Sequence, residues 1–215
     1  QALGSPGIAI TFEPHPVSVV RPNMAPGRIF NPKQKQELIS SLGLNWLLVV
    51  GFTQFFSRME PAVFVKEVLV DALGVSELVL GENFRFGYDR AGNLEFLRSQ
   101  GEVYGFVVHQ IEPSLFQGEM VSSSRIRRTL QAGKVKDAAS MMGREYFVDG
   151  KVVRGDGRGE QIGFPTVNLQ IDGDNLIDDG VYVSEARVAN HLFPAMPHVG
   201  HRPTFAVYER AIETH

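Results

Sequence analysis

The sequence predicts a parallel α/β domain over residues 1–143 and a small antiparallel β domain, an incomplete barrel, over residues 144–215. Two observations predict the first: apolar strand-like runs alternate with helices of amphipathic spacing, and glycines stand where those helices should stop. Strands alternating with helices make βαβ units and a parallel sheet. A third observation predicts the second domain. Beyond Arg144 the helical spacing ends, and short β-rich runs separated by turns continue to the last residue.

The elements follow in order. Residues 8–12, IAITF, read as a short buried strand. Asn31 and Pro32 start a helix, a capping side chain with proline in the first turn, and that helix stops at Gly43. Residues 46–50 form an apolar strand. Pro61 opens a second helix with Val63, Phe64, Val68, Leu69 and Leu73 on one apolar stripe, ending at Gly74. Residues 78–80 are a third strand, 94–98 a short helix and 104–111 a fourth strand. The serine run 122–124 caps a helix through Leu130, closed by Gly133, and residues 136–142 form another, closed by Gly143. In the β part, residues 146–153, 166–171, 181–188 and 208–215 read as strands.

Composition excludes several classes. The chain has 215 residues, 43% hydrophobic and 21% charged, as in globular domains rather than disordered ones. A formal net charge of -3 gives no global field toward nucleic acid or anionic membrane. No run is long and apolar enough for a membrane-spanning helix. With 0 cysteines, disulfides and thiolate zinc sites are excluded, which suits a cytoplasmic setting. Nothing in the sequence specifies an oligomeric state.

The stretch GDGRGEQIGFPTVNL, residues 155–169, carries the densest chemistry. Gly155, Gly157 and Gly159 let the backbone approach a ligand, successive N–H groups there can cradle an anion, and Arg158 adds a positive charge. Thr166 and Asn168 lie two apart and face one side if the chain is extended, offering the hard oxygens that Mg²⁺ takes alongside phosphates. The glycines alone fit an ordinary hairpin equally well.

Ligands bind beyond the carboxyl ends of strands in parallel sheets. After the first strand stands EPHP, with His15 between two prolines; after the third stands GENFRFG, with Asn83 and with Phe84 and Phe86 on one side. Together they can line a pocket for a flat aromatic ligand. The alternative is a histidine satisfied by its own loop and phenylalanines of the core. In VSSSRIRR, residues 121–128, cations crowd a helix N-terminus, which is unfavourable unless an anion binds there. Serine hydroxyls, helix N–H groups and arginines make a phosphate site, against the alternative of a capped helix with a solvated basic face. Glu213 is one carboxylate on a strand, and spacing alone does not make it catalytic.

With these residues in view, the chain resembles the bacterial bifunctional riboflavin kinase/FAD synthetase family. TFEPHP, GENFRFG and VSSSRIR are similar to its adenylyltransferase half, a Rossmann-like nucleotidyltransferase domain. GDGRGEQIGFPTVN, GVY, HVGHRPTF and IETH are similar to its kinase half, a small β-barrel. The resemblance implies ATP-dependent phosphorylation of riboflavin to FMN and adenylylation of FMN to FAD. It implies that Thr166 and Asn168 hold the Mg²⁺ of ATP under a loop with Gly157, Arg158 and Gly159, and that Glu213 is the base for the riboflavin 5′-hydroxyl. It implies that Asn83, Ser123, Ser124 and Arg127 contact ATP phosphates, and that His15, Phe84 and Phe86 line the FMN side. Ser124 stands where the family usually has threonine.

The resemblance also implies parts beyond this chain. A first strand with a His-x-Gly-His motif is expected before Gln1, and further kinase elements after His215, so the chain is expected to be a fragment impaired in both activities. The implied partners are riboflavin, FMN and ATP, with no nucleic acid and no membrane. Two alternatives stand: a riboflavin kinase whose degenerate first domain only binds flavin, and a non-catalytic flavin-binding protein. The set Thr166, Asn168 and Glu213 argues against the second.

Overall fold

The computed structural model describes residues 6–155, 163, 165–171, 173–174, 176–203 and 208–215. The chain packs as two units, one of Gln1–Pro26 with Leu38–Met120 and one of Gly27–Glu37 with Val121–His215. This division differs from the boundary read between residues 143 and 144. The reason is visible in named contacts within the second unit. Arg28 donates its backbone N–H to Asp174 Oδ2 at 2.7 Å, Gln34 Nε2 donates to Asp149 Oδ2 at 3.0 Å, and the Phe30 ring packs 6.0 and 5.3 Å from those of Tyr146 and Phe147.

Strand β1 (Ile8–Glu13) leads into a short helix α1 (Pro16–Val20). Helix α2 (Pro32–Ser40) begins with a reciprocal cap: Asn31 Oδ1 accepts from Gln34 N, and Gln34 Oε1 accepts from Asn31 N, both at 2.8 Å. Strand β2 (Trp46–Gly51) pairs in parallel with β1, Ile8 opposite Trp46 through Glu13 opposite Gly51. Helix α3 opens as an α-turn (Pro61–Val63) and continues as a π-helix (Phe64–Ala72). Strand β3 (Glu77–Gly81), helix α4 (Leu94–Tyr104) and strand β4 (Val107–Ile111) form a second parallel pair, Glu77 opposite Val107. Among the described residues no ladder joins the two pairs. A two-residue ribbon, β5 (Leu115–Phe116) with β6 (Glu119–Met120), follows.

Of the stripe expected on α3, Phe64 and Leu69 are buried and Val68 and Leu73 pack against the core, and the π-register adds Val65 to it. In a π-helix hydrogen bonds run i→i+5, so the faces shift from those of a 3.6-residue period. Val65 is fully buried and Phe64 and Leu69 nearly so, while Val63, expected on the stripe, is exposed. Leu97 and Phe106 complete this core cluster. The α4 helix runs past the expected residue 98 to Tyr104, through Gly101. A side chain at 101 would meet the Phe106 carbonyl oxygen at 2.4 Å, so this glycine admits close packing rather than ending the helix.

In the second unit, α5 (Ser123–Gln131) and α6 (Val135–Met142) precede the strands β7 (Gly150–Val153), β8 (Val167–Ile171), β9 (Gly180–Val181), β10 (Ser184–Val188), β11 (His191–Ala195), β12 (Pro197–Pro203) and β13 (Tyr208–Thr214). Five of them form one antiparallel sheet in the order β7-β8-β13-β12-β9, and β10 and β11 form a hairpin. The described strands make an open sheet with β7 and β9 at its edges. The strand expected over 146–153 starts only at Gly150, because Tyr146 and Phe147 pack on Phe30 instead. Strands β11 and β12 were not expected, since Pro194, Pro197 and Pro203 break the β pattern; Pro197 and Pro203 stand at the first and last positions of β12, where a missing N–H is tolerated.

Leu97, 1% exposed, anchors the first unit's core. Leu97→Ala should lower stability to chemical denaturation by about 2–5 kcal/mol. Val103→Ala, on the same helix but 70% exposed, should change it by less than about 0.5 kcal/mol.

Candidate functional site

The second unit's sheet sorts its side chains by a simple constraint. Val199 on β12 and Ile212 on β13 face each other in register, 1% and 2% exposed, and are core. Neighbouring residues along a strand point to opposite faces. His198 and Glu213, also in register, therefore occupy the other face, and so does Asn168 on β8, directly opposite Glu213. Directly opposed residues have Cβ atoms roughly 4.5–5.5 Å apart. Glu213 thus stands in one row between Asn168 and His198.

Asn168 lies away from the Val199–Ile212 core, yet it is only 8% exposed. Gly155 accounts for part of its cover. A Cβ at position 155 would fall 2.0 Å from Asn168 Nδ2 and 2.8 Å from its Cγ, so the backbone lies directly on the amide and only glycine fits. The Asn168 Oδ1 atom is buried with no hydrogen-bond partner among the described residues. An unpaired buried acceptor costs about 1–3 kcal/mol. A donor or cation brought by a ligand would offset that. Among the described residues no group of three or more His, Asp or Glu could hold a metal ion.

Thr166 is exposed, two residues before Asn168 and just ahead of β8. His215 follows β13, and its Nδ1 lies 3.0 Å from the Pro165 carbonyl oxygen. The structure therefore brings Thr166, Asn168 and Glu213 into one sheet region. Gly157, Arg158 and Gly159 lie outside the described residues.

Ser122 caps α5, its Oγ accepting from Arg125 N at 3.2 Å. Ser123 and Ser124 are exposed in the first turn, while Ile126 and Leu130 form the buried face. Arg127 is half-buried, and its Nε donates to the Gly27 carbonyl at 2.6 Å. That burial pushes its pKa below the usual arginine value, though the group stays charged and keeps further N–H donors.

The first-unit residues are placed as follows. His15 Nδ1 accepts from Val17 N at 3.2 Å and caps α1. Phe84 and Phe86 stack at 5.6 Å, Phe86 lies 5.5 Å from Phe64, and both pack against the core cluster. Gly87 has φ 73, and a Cβ there would strike Pro61 Cγ at 2.6 Å, so glycine is required at the end of GENFRFG. Asn83 Nδ2 contacts Met120 Sδ at 3.7 Å. Asn83, His15, Phe84 and Phe86 belong to the first unit, and Ser123, Ser124 and Arg127 to the second. Sequence reasoning missed the placement of His198 and His215. Alternation from Glu213 carries the signal for His215, whereas the pairing with His198 needs a strand that the prolines conceal.

Comparison with known proteins bears on this geometry. Residues 1–125 match the family model for FAD synthetase, and residues 142–215 match that for riboflavin kinase. The bifunctional riboflavin kinase/FMN adenylyltransferase of Pseudomonas fluorescens is 33% identical over 204 residues, covering 95% of this chain and 65% of the relative. The protein of the same name from Escherichia coli K12 is 30% identical over 211 residues, covering 98% of this chain and 67% of the relative. The chain thus spans about two thirds of the length of these relatives. The crystal structure of a macrolide-efflux protein from Streptococcus pneumoniae superposes with a TM-score of 0.84 at 27% identity, over 97% of this chain and 68% of that one. Among the described residues, no helix is long and apolar enough to cross a membrane.

Gly155→Ala tests the packing on Asn168. The added methyl cannot be accommodated without moving backbone or amide, so the variant should lose about 1–3 kcal/mol of stability, as other overpacked sites do. Chemical denaturation of the two proteins measures it. Wild-type stability in the variant would show that the close approach is not maintained in solution.

Proposed function

Because the chain belongs to the FAD synthetase family and continues into a riboflavin kinase segment, we propose that it serves flavin cofactor synthesis in a longer protein. In this reading residues 144–215 belong to the part that phosphorylates riboflavin with ATP to give FMN. Residues 1–143 belong to the part that adenylylates FMN to FAD. The observation that carries the kinase assignment is the buried Asn168 Oδ1, without a hydrogen-bond partner among the described residues, in the register row of Glu213.

The donor set fits Mg²⁺. Thr166 and Asn168 supply neutral hard oxygens, and the phosphates of ATP would complete the coordination. When bound, the cation would neutralise charge on the β- and γ-phosphate oxygens. The chain's own residues do the rest. Gly155 lets the backbone lie directly against Asn168, and in this reading Gly157, Arg158 and Gly159 are assigned to the nucleotide. Glu213 accepts the proton of the riboflavin 5′-hydroxyl, that oxygen bonds to the γ-phosphorus, and the bond to the β–γ bridging oxygen breaks to release ADP. In this reading the open sheet becomes part of a small barrel in the longer protein. The described strands of the first unit belong to its Rossmann-like nucleotidyltransferase sheet.

For adenylyl transfer we assign Asn83, Ser123, Ser124 and Arg127 to the phosphates of ATP, and His15, Phe84 and Phe86 to the flavin side of FMN. Exposed serine hydroxyls at the start of α5 and a fixed guanidinium support the phosphate part. Riboflavin, FMN and ATP are the proposed partners, and the cysteine-free composition supports a cytoplasmic setting.

The full-length protein tests both halves at once. Asn168→Ala should abolish most FMN formation and largely spare FAD formation from supplied FMN. Arg127→Ala should do the reverse, weakening FAD formation about ten- to hundredfold, as expected for one charged contact of about 1.5–3 kcal/mol. Parallel loss of both activities in either folded variant would contradict separate sites. Glu213→Gln should lower kcat of the kinase by about 10²–10⁴-fold with little change in ATP affinity; a kcat within a few-fold of wild type would remove Glu213 as the base.

A further inference from the structure

We propose that His215 is a positioning residue for the kinase site, fixing the peptide that carries Thr166; the inference rests on the kinase reading above. Thr214 pairs with Val167, so one further step along the same antiparallel register brings His215 opposite Thr166. Its Nδ1 lies 3.0 Å from the carbonyl oxygen of Pro165, the oxygen of the peptide that ends on the Thr166 nitrogen. A carbonyl only accepts hydrogen bonds, so Nδ1 carries the proton and donates it. The neutral Nδ1–H tautomer and the imidazolium both make this bond.

The ring is launched from a fixed backbone. His215 O accepts from Met196 N at 2.9 Å, and His215 N donates to Met196 O at 3.5 Å. Thr166 by contrast is exposed and lies outside the β8 ladder, so its own strand does not hold it. Asn168, two residues on, is buried and clamped by Gly155. The two proposed Mg²⁺ ligands therefore have different supports: packing for Asn168 and the His215 bond for Thr166. Thr166, Asn168, Glu213 and His215 form two adjacent rows on one face, with Glu213 and His215 two apart on the same strand.

Full-length His215→Phe, His215→Asn and His215→Gln test this. Phenylalanine keeps a ring but has no donor. Asparagine keeps an N–H near the Nδ1 position, and glutamine places its N–H farther out. His215→Phe should raise the KM for MgATP in riboflavin phosphorylation about 3- to 10-fold, the effect of one lost neutral hydrogen bond. His215→Asn should stay within about twofold of wild type. FAD formation from supplied FMN should be unchanged in both. A purely structural role would move the unfolding midpoint and would not be rescued by asparagine alone. A wild-type KM in folded His215→Phe overturns the inference, as does an Asn variant as impaired as the Phe variant. If the Phe variant fails to fold, the Asn and Gln variants decide: a lower KM for Asn supports the bond, and equal values overturn it. Asn168→Ala in the same assay separates the two levels. If it leaves FMN formation intact, the kinase reading itself fails; if it abolishes it while His215→Phe behaves as wild type, only the role of His215 falls.

Discussion

One constraint governs the second unit: the period-two alternation of its central strands, fixed by burial of Val199 against Ile212. Once those two residues occupy the core side, the positions of Glu213, His198 and Asn168 on the opposite side follow from register. A slip of one residue in β13 would bury Glu213 and expose Ile212, which the hydrophobic effect opposes. The face that the carboxylate occupies is thus a consequence of core packing.

The first unit meets a different demand, a dense aromatic core beneath loops at strand ends. The Phe86 ring lies 5.5 Å from that of Phe64, 5.6 Å from that of Phe84 and 6.2 Å from that of Phe96. The π-helix turns Val65 fully inward and puts Phe64 and Leu69 on the buried face. The same packing ties GENFRFG to helix α3, because Gly87 sits where any side chain would meet Pro61. A loop read from sequence as a ligand feature is therefore also a structural strut.

Much of this was legible in the sequence. The helix ends at Gly43, Gly74, Gly133 and Gly143 were marked by glycine, and all four have positive φ. The serine cap of α5 and the Asn31 cap of α2 were legible because each is a local hydrogen bond. The parallel pairing of β1 with β2 and of β3 with β4 followed from alternation of strands and helices. What escaped depends on distant partners. The π-register of Phe64–Ala72 has no composition of its own, β12 hides behind its prolines, and Tyr146 leaves the expected strand for a ring far away in sequence. At the candidate site, Thr166, Asn168 and Glu213 were named from motif, but only the ladders show Asn168 and Glu213 as direct neighbours. The carbonyl of Gly27 as a partner for Arg127, 100 residues away, had no sequence signal at all.

The buried Gln34 gives the second unit a particular history. It caps α2 locally, then reaches Asp149 across 115 residues. During synthesis the stretch Gly27–Glu37 is made long before Asp149, Tyr146, Phe147 or Asp174, so it is without those partners while Leu38–Met120 is made. Domains form in the order of their emergence, and a discontinuous one can close only when its last stretch arrives. For the same reason no single cut releases this unit whole. A piece beginning at Arg144 would carry every strand of the sheet but would leave behind Gln34, Phe30 and Arg28, together with α5 and its Arg127.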